Sequence, residues 1–129
     1  MELDYNKLGG LVPAIVQEYE SGEVLMLGFM NAEALEATLE TGDVTFYSRS
    51  RKQLWTKGEQ SGHRLRLREL RVDCDADAVL VSVDAIGPGV CHEGYRNCFF
   101  RRLSADGTLV ITSEKTFDAN VVYGKGEQS

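Results

Sequence analysis

Apolar and polar positions alternate along much of this chain, and the points where the alternation changes period mark its elements. Residues 11–19 read as a strand, with Pro13 near its start, where a missing N–H is tolerated. Ser21 and Gly22 offer a tight turn into residues 23–30, so the two runs predict a hairpin. From Asn31 the pattern becomes helical. Asn31 is a good N-cap, residues 32–40 are rich in helix formers, and Gly42 stands where a C-terminal glycine belongs. Residues 43–47 and 64–72 return to the two-residue period, the second with a slip between Leu67 and Leu70 that predicts a bulge. An apolar strand over 79–83 follows, then a second hairpin with arms 96–103 and 108–114 about Ala105, Asp106 and Gly107. Residues 117–123 predict a short helix or an extended arm. Strands with one clear helix make a β-rich α+β chain, and 129 residues fit one domain. Its core spans about 11–103, and 104–129 form a C-terminal hairpin and tail.

Three of the connections carry candidate chemistry. Residues 48–52 and 57–62 supply N–H groups, hydroxyls and cations suited to phosphate oxygens, although neither is a P-loop. They make Ser48, Arg49, Arg51, Lys57, Glu59 and Ser61 candidate substrate-binding residues. Trp55, between them, either joins the core or stacks on a base. Residues 87–94 form a glycine-rich loop that carries Cys91 and His92.

The densest cluster is Asp73-Cys74-Asp75-Ala76-Asp77. If it is extended, the three aspartates share one face and Cys74 takes the other, sorting hard oxygen ligands from a soft sulfur as two different metals require. Alternate residues of a flat strand lie about 6.5–7 Å apart, so the carboxylates converge on one ion only where the chain bends or ends. Solvated acids at a strand edge are the plainer alternative. Cys74, Cys91 and Cys98 are the whole cysteine complement, an odd number that argues against a closed disulfide framework and suits the reducing cytoplasm. Three thiolates with a fourth position left to water match a catalytic zinc, while buried core thiols are the alternative. His92, adjacent to Cys91, tips the balance toward zinc and is the candidate for proton transfer, with His63 the other histidine.

Composition narrows the classes. No apolar run is long enough to span a bilayer, and the acidic start lacks the pattern of a signal peptide. The net charge of −6 speaks against general nucleic-acid binding, yet residues 49–71 hold eight basic residues against two acidic ones. A small anionic ligand over that stretch fits better than a polynucleotide.

Four ordered motifs carry a resemblance that runs from about Leu11 through Leu103. They are Phe46-Tyr47-Ser48-Arg49-Ser50-Arg51, Leu54-Trp55-Thr56-Lys57-Gly58-Glu59-Gln60-Ser61-Gly62, Asp73-Cys74-Asp75-Ala76-Asp77, and Gly89-Val90-Cys91-His92-Glu93-Gly94 with Asn97-Cys98-Phe99-Phe100. In these the chain resembles the phosphoribosyl-AMP cyclohydrolase family of histidine biosynthesis. The resemblance implies an intertwined homodimer in which Cys74 of one subunit and Cys91 and Cys98 of the other hold Zn²⁺, while Asp73, Asp75 and Asp77 hold Mg²⁺. It further implies opening of the adenine ring of 1-(5-phosphoribosyl)-AMP by water between N1 and C6, a reaction in which His92, from its place beside Cys91, is the candidate to pass the proton. Asn97 stands where a serine is expected, and His63 where asparagine or histidine appears. A zinc-stapled structural dimer and a thiol or redox enzyme using Cys91 are the rival readings.

Overall fold

The first two strands, β1 (Val12–Glu18) and β2 (Val24–Met30), pair antiparallel around the turn at Ser21 and Gly22, as the alternation predicts. The computed structural model describes residues 3–122. The other edge of β1 accepts β6 (Val79–Ala85) in parallel, from Ala14 opposite Val79 to Glu18 opposite Val83. Next to β6 lies β5 (Leu65–Val72), antiparallel, which completes a four-stranded sheet in the order β2-β1-β6-β5. The register of β5 on β6 shifts between Leu67 and Glu69, where the slip in alternation predicts the bulge. Val12, Ala14, Val16, Val81 and Val83 are fully buried, so one face of the sheet carries the core.

Helix α1 (Ala32–Thr41) covers that core, with Ala34, Leu35 and Thr38 buried. Its caps follow the residues. The Asn31 side chain accepts a bond from Ala34 N at 2.8 Å, and Gly42 at φ 79° donates to Thr38 O at 2.9 Å. Inside the helix, Thr38 Oγ1 donates to Ala34 O at 2.9 Å and accepts from Thr45 N at 2.9 Å, joining α1 to β3 (Thr45–Ser48).

A strand that the pattern does not predict follows: β4 (Gln53–Thr56) pairs antiparallel with β3 and sets Trp55 opposite Phe46. Only Leu54 and Trp55 are apolar in it, too few for the periodicity to register against polar flanks. The second predicted hairpin forms as a shorter pair, β7 (Arg101–Leu103) with β8 (Leu109–Ile111), and every residue of both strands is exposed. In the tail, α2 (Ala119–Val122) is a single turn, and Tyr123 lies outside the described residues. The result is α+β and β-rich. Among the described residues no helix is long and apolar enough to cross a membrane.

Candidate functional site

Residues 73–78 are a turn between β5 and β6: the chain bends here, as convergence of the three carboxylates requires, rather than running on extended. Asp73 N donates to Ala78 O at 3.1 Å, Ala76 N to Asp73 O at 3.1 Å, and Ala76 adopts φ 61°. The Asp73 carboxylate closes the turn by accepting Asp77 N at 3.0 Å and Ala78 N at 3.2 Å. Curling the chain this way places one carboxylate oxygen from each of Asp73, Asp75 and Asp77 within 4.8 Å of the others. Oxygens about 2.0–2.6 Å from a shared Mg²⁺ or Ca²⁺ have that spread, so the donor set fits a hard cation. A cation from the chain itself already reaches it. Lys7 Nζ, in a 3₁₀ turn at Asn6–Leu8, is 2.8 Å from Asp77 Oδ2 and 3.6 Å from Asp75 Oδ2, and its bond holds the Asp77 carboxyl below the usual carboxylate range. Asp4 N fastens this segment to Ala76 O at 2.6 Å. No local signal marks Lys7, whose partner lies 70 residues away.

The turn also overturns the expected sorting of sulfur from oxygen. Cys74 Sγ lies 2.8 Å from Asp75 Oδ1 rather than on an opposite face, and that bond raises the thiol's pKa. Cys91 and Cys98 sit together elsewhere. Val90 N donates to Arg96 O at 3.0 Å and Cys91 N to Tyr95 O at 3.1 Å, which pinches the loop and brings the two thiols into contact. Gly89 lies against this neck, where a Cβ would meet Tyr95 O at 2.5 Å. Cys98 N is anchored on Leu25 O of β2 at 2.8 Å. The Cys98 thiol donates to Cys91 and pulls the Cys91 pKa down to about 6 against the opposing effect of burial; the same bond, with burial, pushes Cys98 up. A buried thiol so easily ionised is a ready zinc donor.

The three thiols do not meet within one chain. Cys74 sits beside β5 at one edge of the sheet and Cys98 is bonded to β2 at the other. Three strand spacings amount to about 14 Å, whereas ligands of one zinc each lie about 2.3 Å from it. Among the described residues, the aspartate trio is the one group of three or more His, Cys, Asp or Glu drawn close enough for a shared ion.

His92 is exposed on the rim of a cavity of about 750 Å³ shared with Glu93, Lys115, Phe117, Asp118 and Asn120. The segment that forms the opposite wall is held by Thr116 N donating to Gly94 O at 2.8 Å. The segment falls within 104–129, expected as a C-terminal hairpin and tail. His63, by contrast, is buried under the thiol loop, with Nδ1 3.0 Å from Gly89 O and its ring edge-on to Phe117 at 4.9 Å.

The candidate substrate residues divide. A second cavity, about 570 Å³, is lined by Met26, Phe29, Phe46, Ser48, Arg49 and Trp55 among others. The Arg49 guanidinium lies over the Phe29 ring at 4.1 Å, and that of Arg51 is 5.9 Å from the Trp55 ring. Trp55 joins the core, 8% exposed and packed on Phe46 at 5.1 Å, while it also lines the cavity. Lys57 differs from expectation, being 2% exposed, with its ammonium 5.7 Å from the Trp55 ring and its charge lowering the Cys98 pKa. It is an interior cation beside the thiols rather than a solvent-facing loop cation. Glu59 is exposed and Ser61 Oγ accepts from His63 N at 3.2 Å; neither lines this cavity.

Comparison with known proteins points the same way. Residues 26–100 match the family model described as phosphoribosyl-AMP cyclohydrolase. A phosphoribosyl-AMP cyclohydrolase of Solibacter usitatus is 59% identical over 96% of this chain and 98% of its own length. That of Pelotomaculum thermopropionicum is 54% identical over 95% and 94%, and that of Desulforapulum autotrophicum 52% over 95% and 98%. With the thiol loop, the aspartate turn and the arginine-rimmed cavity all inside or beside the matched region, the chain belongs to the phosphoribosyl-AMP cyclohydrolase family.

Proposed function

We propose that this chain opens the adenine ring of 1-(5-phosphoribosyl)-AMP by hydrolysis of the N1–C6 bond, a step of histidine biosynthesis, as a cytoplasmic homodimer. The observation that carries this reading is the division of the thiols: Cys91 and Cys98 in contact at one edge of the sheet and an exposed Cys74 at the other. A second subunit that brings its Cys74 to the pair completes a three-thiolate site. The β7–β8 hairpin supports the same assembly, because Leu103, Leu109 and Ile111 are each more than half exposed and an isolated two-stranded hairpin is marginal in water.

These three thiols would hold zinc, which when bound would lower the pKa of a water toward neutrality and make it nucleophilic toward C6. The chain's own groups do the remainder. His92, exposed and next to Cys91, gives a proton to N1 as the N1–C6 bond breaks. Trp55 offers a ring edge for the base, while Arg49, Arg51 and the Ser48 hydroxyl hold phosphate at the mouth of the cavity of about 570 Å³, a size suited to a nucleotide. Lys57 offsets negative charge at the thiols, and Glu59 and Ser61 shape the turn behind it. Asp73, Asp75 and Asp77 would hold Mg²⁺, whose charge would offset that of a substrate phosphate and so position the substrate rather than react.

The lowered Cys91 pKa also favours a thiol enzyme, although the residue is 2% exposed and poorly placed to attack a substrate. One experiment separates the two. Purified protein mixed with 1-(5-phosphoribosyl)-AMP is followed by the change in purine absorbance, beside measured zinc content, for wild type and Cys91→Ser. Ring opening with about one zinc per chain, both lost in the variant, supports the proposal. Turnover by zinc-free wild-type protein overturns the hydrolytic zinc site in favour of the thiol.

A further inference from the structure

The loop that ends in Cys98 is tied to the first hairpin by charge. Arg96 Nε donates to Glu23 Oε1 at 2.7 Å, and Asn97 Nδ2 donates to Glu23 Oε2 at 2.6 Å. A single carboxylate thus spends its two oxygens on the two residues immediately before a thiol ligand, 73 and 74 positions away in the chain. The Arg96 Nη2 group adds a bond to Glu18 Oε2 at 2.6 Å, and Asn97 Oδ1 accepts Phe99 N at 2.8 Å on the far side of Cys98. Two residues along β2 from Glu23, Leu25 O receives Cys98 N. The carbonyl of Arg96 accepts Val90 N, so the clamp reaches the Cys91 side of the loop as well. Glu23 and Glu18 are 30% and 20% exposed, and bonds from an ionised acceptor at such half-buried positions are stronger than neutral ones.

We propose that Glu23 is a positioning residue for the metal site: through Arg96 and Asn97 it fixes the backbone that presents Cys98 to Cys91, and so sets zinc affinity. This rests on the zinc reading above. The first hairpin has its own reasons to form, since β1 and β2 pair from Val12 opposite Met30 to Gln17 opposite Val24 and bury Leu25 and Met30 beneath them. Glu23 lies just outside the paired strands, at the turn, and its carboxylate is spent on the thiol loop. Asn97, the departure from the expected serine, uses both ends of its amide here.

Partners that orient metal ligands from outside the first coordination sphere typically change affinity about 10- to 100-fold when removed. Glu23→Gln turns an amide NH₂ toward one of two donors and loses at least one bond. Zinc affinity is read by competition with a chromophoric chelator, and site geometry by the thiolate-to-metal absorption of the Co²⁺ form, with the urea midpoint of metal-free protein as the stability control. The expected result for Glu23→Gln is at least about tenfold weaker zinc binding with an altered Co²⁺ band and a protein that still unfolds in one cooperative transition, its midpoint lowered only modestly, and about tenfold recovery in Glu23→Asp. Asn97→Ala, which leaves the Arg96 pairs in place, is expected to weaken zinc several-fold and carries the test if Glu23→Gln fails to fold. Wild-type zinc affinity in a folded Glu23→Gln, or in Asn97→Ala, overturns the clamp alone. Wild-type protein without a thiolate-to-Co²⁺ band overturns the zinc reading and the clamp together.

Discussion

Gly89→Ala puts the architecture of the thiol loop under direct strain. Gly89 has no unusual φ, so the substitution tests space rather than backbone freedom. The added Cβ would lie 2.5 Å from Tyr95 O, 2.8 Å from Arg96 Cα and 2.9 Å from Tyr95 C, where ordinary contact begins at 3.4 Å. All three are backbone atoms, so relief requires the neck to open by about 0.9 Å. An opening of that size carries the Val90–Arg96 and Cys91–Tyr95 bonds, at 3.0 and 3.1 Å, past bonding distance. Two net hydrogen bonds at about 1 kcal/mol each, together with overpacking of about 1–3 kcal/mol partly relieved by their loss, give a destabilisation of about 2–4 kcal/mol. Where that energy falls on the loop alone, zinc binding weakens roughly 30- to several hundred-fold at 1.4 kcal/mol per factor of ten. The assay is urea unfolding of metal-free and zinc-loaded protein together with chelator competition. Gly107→Ala is the comparison: it has φ 89° and open space around it, so it costs about 1–2 kcal/mol of backbone strain in the β7–β8 turn and leaves zinc affinity alone. A Gly89→Ala protein with wild-type midpoint and wild-type zinc affinity would refute the tight neck.

Three further outcomes are expected. Asp77→Asn should weaken Mg²⁺ binding by roughly one to two powers of ten while zinc content stays unchanged, measured by calorimetry and metal analysis; loss of zinc would contradict two separate sites. It is a cleaner variant than Asp75→Asn, since Asp75 also touches Cys74. His92→Ala should fold, load zinc and turn over at least about 100-fold more slowly, and an unchanged kcat across pH would remove its proton role. In acid the Glu23 clamp should release. Burial alone would raise the Glu23 pKa, but the bonds from Arg96 and Asn97 bring it below the ordinary 4.5, so its contribution is full above about pH 4.5 and disappears as pH falls through the lowered value. The stability difference between wild type and Glu23→Gln, followed by urea midpoints as pH is lowered from about 6, should therefore shrink below about pH 4.5; a difference that stays constant as pH falls through that range would contradict the ionised clamp.

Much of this was legible in the residues because the relevant forces are local. The caps of α1, the turn at Ser21 and Gly22, and the bulge after Leu67 depend on neighbours within four or five positions, and each forms where the pattern predicts. The side chains able to hold a metal were likewise open to selection by their chemistry, and the fold draws Asp73, Asp75 and Asp77 together. What escaped was long-range. The spacing of the aspartates called for a bend, but not for the way it is made, in which Asp73 closes the turn with its own carboxylate and draws Cys74 onto Asp75. Lys57 looked like a loop cation among polar neighbours, yet β3 and β4 carry it inward. Lys7, Glu18 and Glu23 gave no signal, since their partners lie 70 or more residues away and only the folded sheet makes them neighbours.

The parallel pairing of β1 with β6 bears on how the molecule is made. Ala14 meets Val79 across about 65 intervening positions, so the central strand waits for more than half the chain before its second edge is covered. A nascent chain that ends before β6 holds Val12, Ala14 and Val16 on an open edge, a template for pairing with the wrong neighbour. Closing so long a loop is slow relative to forming the β1–β2 hairpin. Cys91 and Cys98 emerge directly after β6, and Cys98 docks on β2, the outer strand that the hairpin has already built. Synthesis order therefore delivers the thiol pair to a finished sheet, which makes docking of the thiol loop one of the last steps of folding and a built-in check that the sheet has closed.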